Sequence, residues 1–162
     1  MALVSNPANA SHEVFFEETR VAAGQLGIPI QLFRAREGEE IDRAFREASQ
    51  ARADAMLVFD DPVLWSHRKR FVAHAAKARL PTMYGYRELV DEGGLISYGP
   101  KREGLYRRTA IYVDKILKGA NPAELPVERP TKFELVINAA AAKSLGLVVP
   151  QSVLLLADEL IQ

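Results

Sequence analysis

Four short stretches of this chain gather the residue types that hold small molecules without reacting with them. They are Ser5-Asn6-Pro7-Ala8-Asn9, Asp60-Asp61-Pro62, Tyr84-Gly85-Tyr86-Arg87 and Ser97-Tyr98-Gly99. Together they supply amides, carboxylates, phenol rings and a guanidinium, a set suited to hydrogen bonding and stacking around a small polar or aromatic solute. Each also has a purely structural reading. Asp61 reads as a helix cap followed by Pro62 in the first turn, where no N–H is needed. Asn6 and Asn9 fit Asx turns. Tyr84 fits the core, Tyr98 fits packing at a hinge, and Arg87 fits an exposed position on a short helix.

Catalytic patterns are weak by comparison. The three histidines are His12, His67 and His74; the last two lie seven residues apart on one helical pattern, which is not metal-ligand spacing. No G-x-S-x-G elbow, G-x-G-x-x-G fingerprint or P-loop occurs. Asp60 and Asp61 are adjacent, so at a strand end their side chains diverge, which is wrong for a catalytic carboxylate pair. The chain contains no cysteine, which excludes disulfides, thiolate chemistry and cysteine-bound metals. The expectation is a protein that is not an enzyme, with no cofactor and no metal.

The elements that must position these residues alternate. Apolar or β-branched runs at 2–4, 28–33, 55–59, 81–84, 95–98 and 132–137 are separated by helical patterns at 11–25, 37–52, 63–79, 87–91 and 101–118. Helical patterns at 139–145 and 150–162 close the chain. This order predicts an α/β fold: a three-layer, Rossmann-like parallel sheet with helices on both faces. In such sheets ligands bind beyond the carboxyl ends of the strands, which is where the four stretches fall. The predicted inward positions are Phe15, Ala22 and Leu26, with Val14 and Val21 beside them, on the first helix. On the next two they are Ile41, Ala44, Phe45 and Ala48, then Leu64, Phe71, Val72 and Ala75.

The helical pattern at 101–118 carries Leu105, Tyr106, Thr109, Ala110, Tyr112, Val113, Ile116 and Leu117, a wider apolar face than a lone surface helix needs. Something must cover it. Gly119 fits the stop, and prolines at 122, 126 and 130 keep the following connector irregular. The domain reading is one α/β lobe over 1–162 with crossover segments at about 95–101 and 119–132.

At 162 residues the chain fits one domain that buries roughly 70% of its unfolded surface. Lysine plus arginine equals aspartate plus glutamate, so charge gives no reason to expect nucleic acid. The basic run at His67-Arg68-Lys69-Arg70 reads as a solvated helix face. No stretch approaches the roughly 20 apolar residues that span a bilayer, so no direct membrane insertion is expected. The opening MALVSNPANASHE lacks a basic segment followed by a long apolar one, so export is not signalled, and the chain is expected to be cytoplasmic if it is the complete product.

The chain resembles the substrate-binding proteins of ABC transporters, in the group that includes tryptophan-binding lipoproteins. The resembling segments are Asn6-Pro7-Ala8-Asn9, 53–58 with Asp61-Pro62, 80–88, Gly93-Gly94-Leu95-Ile96-Ser97-Tyr98-Gly99, and 113–119 running on to Leu135-Val136-Ile137-Asn138. The resemblance covers nearly the whole chain. It implies a type I periplasmic-binding-protein fold, in which two lobes joined by three crossovers hold a solute between them, and it matches only the C-terminal half.

The implied half-cleft is lined by Asn6, Asn9, Asp61, Tyr84, Tyr86 and Tyr98. The resemblance also implies a periplasmic location and an ABC permease as partner. The 101–118 helix would then pack on the first lobe. Tryptophan-binding members carry an acidic residue near the position of Tyr86, where this chain has an aromatic followed by Arg87, so the resemblance does not name the solute. The competing reading is a self-sufficient cytoplasmic ligand sensor or small α/β enzyme that covers the 101–118 helix in a homodimer.

Overall fold

In the computed structural model, which describes all 162 residues, the apolar runs become strands of a single seven-stranded sheet. The chain order is β1 (Ala2–Ser5), α1 (Ser11–Gln25), β2 (Gln31–Arg34), α2 (Gly38–Gln50), β3 (Met56–Val58), α3 (Pro62–Ser66) and α4 (Arg68–Ala78). It continues with β4 (Thr82–Tyr84), α5 (Arg87–Asp91), β5 (Ile96–Pro100), α6 (Arg102–Leu117), β6 (Phe133–Asn138), α7 (Ala139–Leu145), α8 (Gln151–Leu154) and β7 (Glu159–Ile161). The strands lie in the order β2-β1-β3-β4-β5-β6-β7. Those from β2 to β5 run parallel. Chain order reverses between β1 and β3, which makes the crevice beyond their carboxyl ends the topological switch point.

Parallel crossovers are right-handed, so the step from β1 to β2 and the steps from β2 through β5 place their helices on opposite faces. One face is well packed. Val4, Phe33, Val58 and Tyr84 form a continuous core with Ile41, Ala44, Phe45 and Ala48 of α2, Phe71, Val72 and Ala75 of α4, and Leu89 of α5. The inward positions read for α2, α3 and α4 are therefore the buried ones.

The other face differs from expectation. Of α1 only His12 and Ala23 are buried, while Val14, Phe15, Val21 and Leu26 are exposed. An open apolar groove runs between Ala22, Leu26 and Ile28 and the undersides of Leu57, Met83 and Ile96. The 3.6-residue period located an apolar stripe on α1, but a stripe is buried only where a neighbour lies against it.

Two boundaries and one strand direction also differ. The helix expected at 63–79 breaks at His67, whose backbone (φ −96, ψ 15) leaves helical geometry. The first piece follows its Asp61 cap and the second follows its core contacts. The helix expected at 150–162 keeps only Gln151–Leu154, and residues 159–161 form the parallel edge strand β7 instead. Asp158 docks that segment by accepting from the Leu135 amide through Oδ2 (2.8 Å) and donating its own amide to the Leu135 carbonyl (2.9 Å). A short run such as Glu159-Leu160-Ile161 fits helix or strand equally, and pairing with Val136, Ile137 and Asn138 decides. Finally, β6 runs antiparallel to β5, because the chain leaves and returns at one place: the Lys101 amide donates to the Lys132 carbonyl at 3.0 Å.

Candidate ligand-binding site

At the switch point, the end of β1 is tied to the end of β3. Asn6 Oδ1 accepts from the Ala8 amide (3.0 Å) and Asn9 Oδ1 from the Ser11 amide (3.1 Å), so both asparagines make the Asx turns that open the way into α1. Their side-chain N–H groups then reach across. Asn6 Nδ2 donates to Asp61 Oδ1 at 3.1 Å, and Asn9 Nδ2 donates to Asp61 Oδ2 at 2.9 Å. Asp61 Oδ1 also caps α3 by accepting from the Val63 and Leu64 amides at 2.9 and 3.0 Å. The turn and cap readings are thus both realised, and they share one carboxylate. Burial raises the Asp61 pKa, but these four bonds outweigh it and hold the carboxyl below its usual range.

His12 locks the same corner. Its Nδ1 accepts from the Asn6 amide (2.8 Å) and its Nε2 donates to the Asp60 carbonyl (3.0 Å), which fixes the Nε2–H tautomer. Its ring packs edge-on to Phe59 with centroids 5.5 Å apart. No group of histidine and acidic side chains here or elsewhere is arranged to hold a metal ion. His74, on α4, instead pairs with Asp42 (2.6 Å) and stacks on Phe45.

Asp60 takes the opposite course. Its carboxylate lies over Gly85 at the end of β4, so close that a Cβ there would meet Asp60 Oδ1 at 1.8 Å. Gly99 has the same role one strand on, since its Cβ would fall 1.9 Å from the Gly85 carbonyl oxygen. Removal from water pushes the Asp60 pKa up to about 6, against weaker opposing effects of the Gly85 amide and the Arg102 guanidinium. Beside it stand Trp65, one helical turn past Asp61, and Tyr86, whose phenol pKa is raised by burial and then by Asp60.

The Arg102 guanidinium at the start of α6 lies 5.8 Å from the Trp65 ring, 5.3 Å from Tyr86 and 5.7 Å from Tyr106. It donates to Glu88 Oε1 at 2.7 Å and to the Tyr106 hydroxyl at 2.8 Å. The buried Trp65 Nε1 finds no acceptor within the chain. Asp60, Asp61, Trp65, Tyr84, Gly85 and Tyr86 line a shallow recess that opens to solvent.

Of the sequence candidates, Asn6, Asn9, Asp61, Tyr84 and Tyr86 come together here. Tyr84 is the floor: its ring is 1% exposed and belongs to the core, and its hydroxyl has no partner. Tyr98 stands apart, half-exposed and stacked on Phe133 of β6 with centroids 5.7 Å apart. Arg87 turns away to Glu159 of β7 (2.9 Å) and Asp91 (3.3 Å), which raises its pKa. Asp60 stood in a candidate stretch but not among the lining residues expected, and Trp65, Arg102 and the locking role of His12 were not singled out from sequence. Two signals were available. Trp65 is the only tryptophan and lies four residues past a capping aspartate, and Arg102 opens a helix directly after a strand.

A mostly parallel α/β sheet with polar groups gathered at its switch point is the architecture of a periplasmic-binding-protein lobe, and the comparisons agree. A conserved domain protein from Vibrio cholerae superposes with a TM-score of 0.91 at 26% identity, covering 98% of this chain and 53% of that one. An ABC domain in complex with L-Trp from Streptococcus pneumoniae gives 0.89 at 26% identity, with 99% and 55% covered. A ligand-free, open substrate-binding protein with adhesive properties from Clostridium difficile shares the fold, at 0.70 and 18% identity, with 99% and 54% covered. The chain therefore spans about half the length of these structures. A search of curated proteins finds no match. The sequence pattern of the ABC transporter substrate binding protein family matches residues 1–161, and the chain belongs to that family.

Proposed function

We propose that this chain forms one wall of a cleft that binds a small polar or aromatic molecule, such as an amino acid, for an ABC-type importer. The observation that carries the proposal is the meeting of the β3 and β4 ends in a recess lined by carboxylate and aromatic side chains, with the asparagines after β1 tied to it through Asp61. The recess is far smaller than the roughly 300–1,000 Å³ of complete ligand pockets, which supports a surface finished by a second lobe. The L-Trp bound by the Streptococcus pneumoniae domain supports an amino-acid-sized solute.

α6 supports the two-lobed arrangement. It buries no residue of its own, and Leu105, Tyr106, Ile111, Val113, Ile116 and Leu117 are exposed. The crossover segments at about 95–101 and 119–132 meet side by side at Lys101 and Lys132, as paired passages to another lobe would. Function then comes from closure: a solute touching both lobes favours the closed state by its differential affinity for it. Turnover has no candidate nucleophile beside a base. The receptor works outside the cytoplasm with a permease partner, and no helix of this chain is long and apolar enough to cross a membrane.

Titration of the 162-residue chain with amino acids tests this. NMR should show weak, millimolar perturbation confined to Asn6, Asp60, Trp65 and Gly85, with no detectable heat in calorimetry. Micromolar affinity in a monomer would overturn the one-wall reading. The exposed α6 face also favours a second reading, a cytoplasmic dimeric sensor or small enzyme that buries α6 between copies. Light scattering separates them, since a tight dimer shifts weight to that second reading.

A further inference from the structure

We infer that Arg102 is a positioning residue: it sets the angle at which α6 leaves the lobe by seating its guanidinium against Trp65, Tyr86 and Glu88. The consequence for lobe movement rests on the two-lobed reading above, whereas the contact itself depends on no solute.

α6 and the connector after it form one arm. The Tyr112 hydroxyl donates to the Pro126 carbonyl at 2.6 Å, and Arg108 pairs with Glu128. Beside these ties, Leu105 and Ile116 of α6 and Pro122 and Leu125 of the connector line a shared apolar groove. The arm joins the sheet where β5 pairs with β6, closed by the bond between Lys101 and Lys132. Such a junction is a line about which the arm can swing, because dihedrals at a few element-terminal residues absorb the rotation. α6 buries no residue, so core packing does not fix its direction.

One side chain does. Every other hydrogen bond or ion pair from an α6 side chain ends within the arm: Arg108 on Glu128, Thr109 on Leu105, Tyr112 on Pro126 and Asp114 on Lys118. Arg102 alone crosses to the lobe, donating to Glu88 Oε1 at 2.7 Å with the Trp65 and Tyr86 rings 5.8 and 5.3 Å away. Tyr106, one turn on, steadies the guanidinium by accepting from it at 2.8 Å. The receiving side is firm. Glu88 lies on α5 beside buried Leu89 and Val90, and the Trp65 ring also carries Arg68 at 4.7 Å, which Glu92 holds at 3.3 Å.

A planar guanidinium donates to two acceptors and lies against rings at once, which an ammonium on a flexible stem does not. The Arg102 and Glu88 side chains are 34% and 32% exposed, so solvent screens the pair. Ion pair and ring contacts together are worth about tenfold in the balance between a seated and a released arm. That is enough to bias the arm, and little enough to be given up when the lobes move.

Residual dipolar couplings of backbone amides in the solute-free 162-residue chain test this. In the wild type, couplings of Arg102–Leu117 should fit the alignment frame of α2 and α4. In Arg102→Ala they should shrink while those of α2 and α4 hold, and Trp65 emission should shift. Arg102→Lys should not restore them, and Glu88→Gln should give an intermediate loss because the rings remain. Wild-type couplings in Arg102→Ala or Arg102→Lys, or a wild-type α6 that already departs from the α2 and α4 frame, overturn the inference. Should Arg102→Ala disturb α2 and α4 as well, Glu88→Gln decides instead, and unchanged α6 couplings there overturn it. No solute enters the measurement, so its failure leaves the solute-binding reading to its own titrations.

Discussion

Asp60 and Asp61 are neighbours in sequence, yet they belong to two differently built regions. Asp61 sits on a tied side, where Asn6, Asn9, His12 and two helix amides satisfy one another. Asp60 sits on an open side with Trp65, Tyr86 and Arg102, where Trp65 Nε1 lacks an acceptor and the carboxylate meets only the Gly85 amide. Consecutive side chains leave an extended segment in opposite directions, so one residue of offset sends one aspartate toward β1 and the other toward β4. The tied side sets the shape of the crevice, and the open side is left to meet something else. Satisfaction of polar groups, rather than residue type, separates the scaffold from the candidate site.

The comparison breaks most sharply at Asp61. Asp61→Ala removes a cap worth about 1 kcal/mol and strips the Asn6 and Asn9 amides of their acceptor, for a combined loss of roughly 3 kcal/mol in urea unfolding. A loss no greater than the cap alone would show that the tied side is not a unit. Gly85→Ala comes next. The new Cβ would displace the Asp60 carboxylate, costing about 1–3 kcal/mol, and Asp60→Ala in the same chain should recover most of that loss.

The two aspartates should also respond to pH with opposite sign. The raised Asp60 pKa means that the folded state binds its proton more tightly than the unfolded state, so this group's contribution to stability falls as pH rises from about 4 to about 6. Asp60→Asn should therefore stabilise the protein at pH 7 by up to about 2 kcal/mol and lose that advantage toward pH 4. The lowered Asp61 pKa works the other way: its contribution is present above the ordinary carboxylate range and is lost as pH falls through its depressed value. Unfolding of Asp60→Asn and the wild type across this pH range would measure the difference. Arg102→Ala should have the smallest effect on folding, under about 1 kcal/mol for a partly exposed pair, while visibly changing Trp65 emission.

Much of the fold was legible. Strands at Met56–Val58 and Thr82–Tyr84 and the buried faces of α2 and α4 follow from apolar periodicity, because those segments lie under a packed face. The candidate site was legible only in part. Asn6, Asn9 and Asp61 announce themselves as turn and cap residues, whereas Asp60, Trp65 and Arg102 belong to different local patterns and meet only when β3, α3 and the start of α6 converge. Tyr98 fell at a strand end like Tyr84, but the pleat sends it to Phe133 and away from the recess.

By itself, the sequence determined the alternation of strands and helices, the Asp61 cap and the stop at Gly119, whose φ of +98° suits glycine. These are local properties, set by side-chain period and backbone preference within a few residues. Only the tertiary structure decided that α1 leaves its apolar stripe uncovered, that residues 159–161 pair as a strand, and that Asp61 is ringed by donors while Asp60 meets only the Gly85 amide. Those outcomes depend on which groups reach one another across the sheet, and burial and hydrogen bonding between distant segments are not encoded in the period of either one.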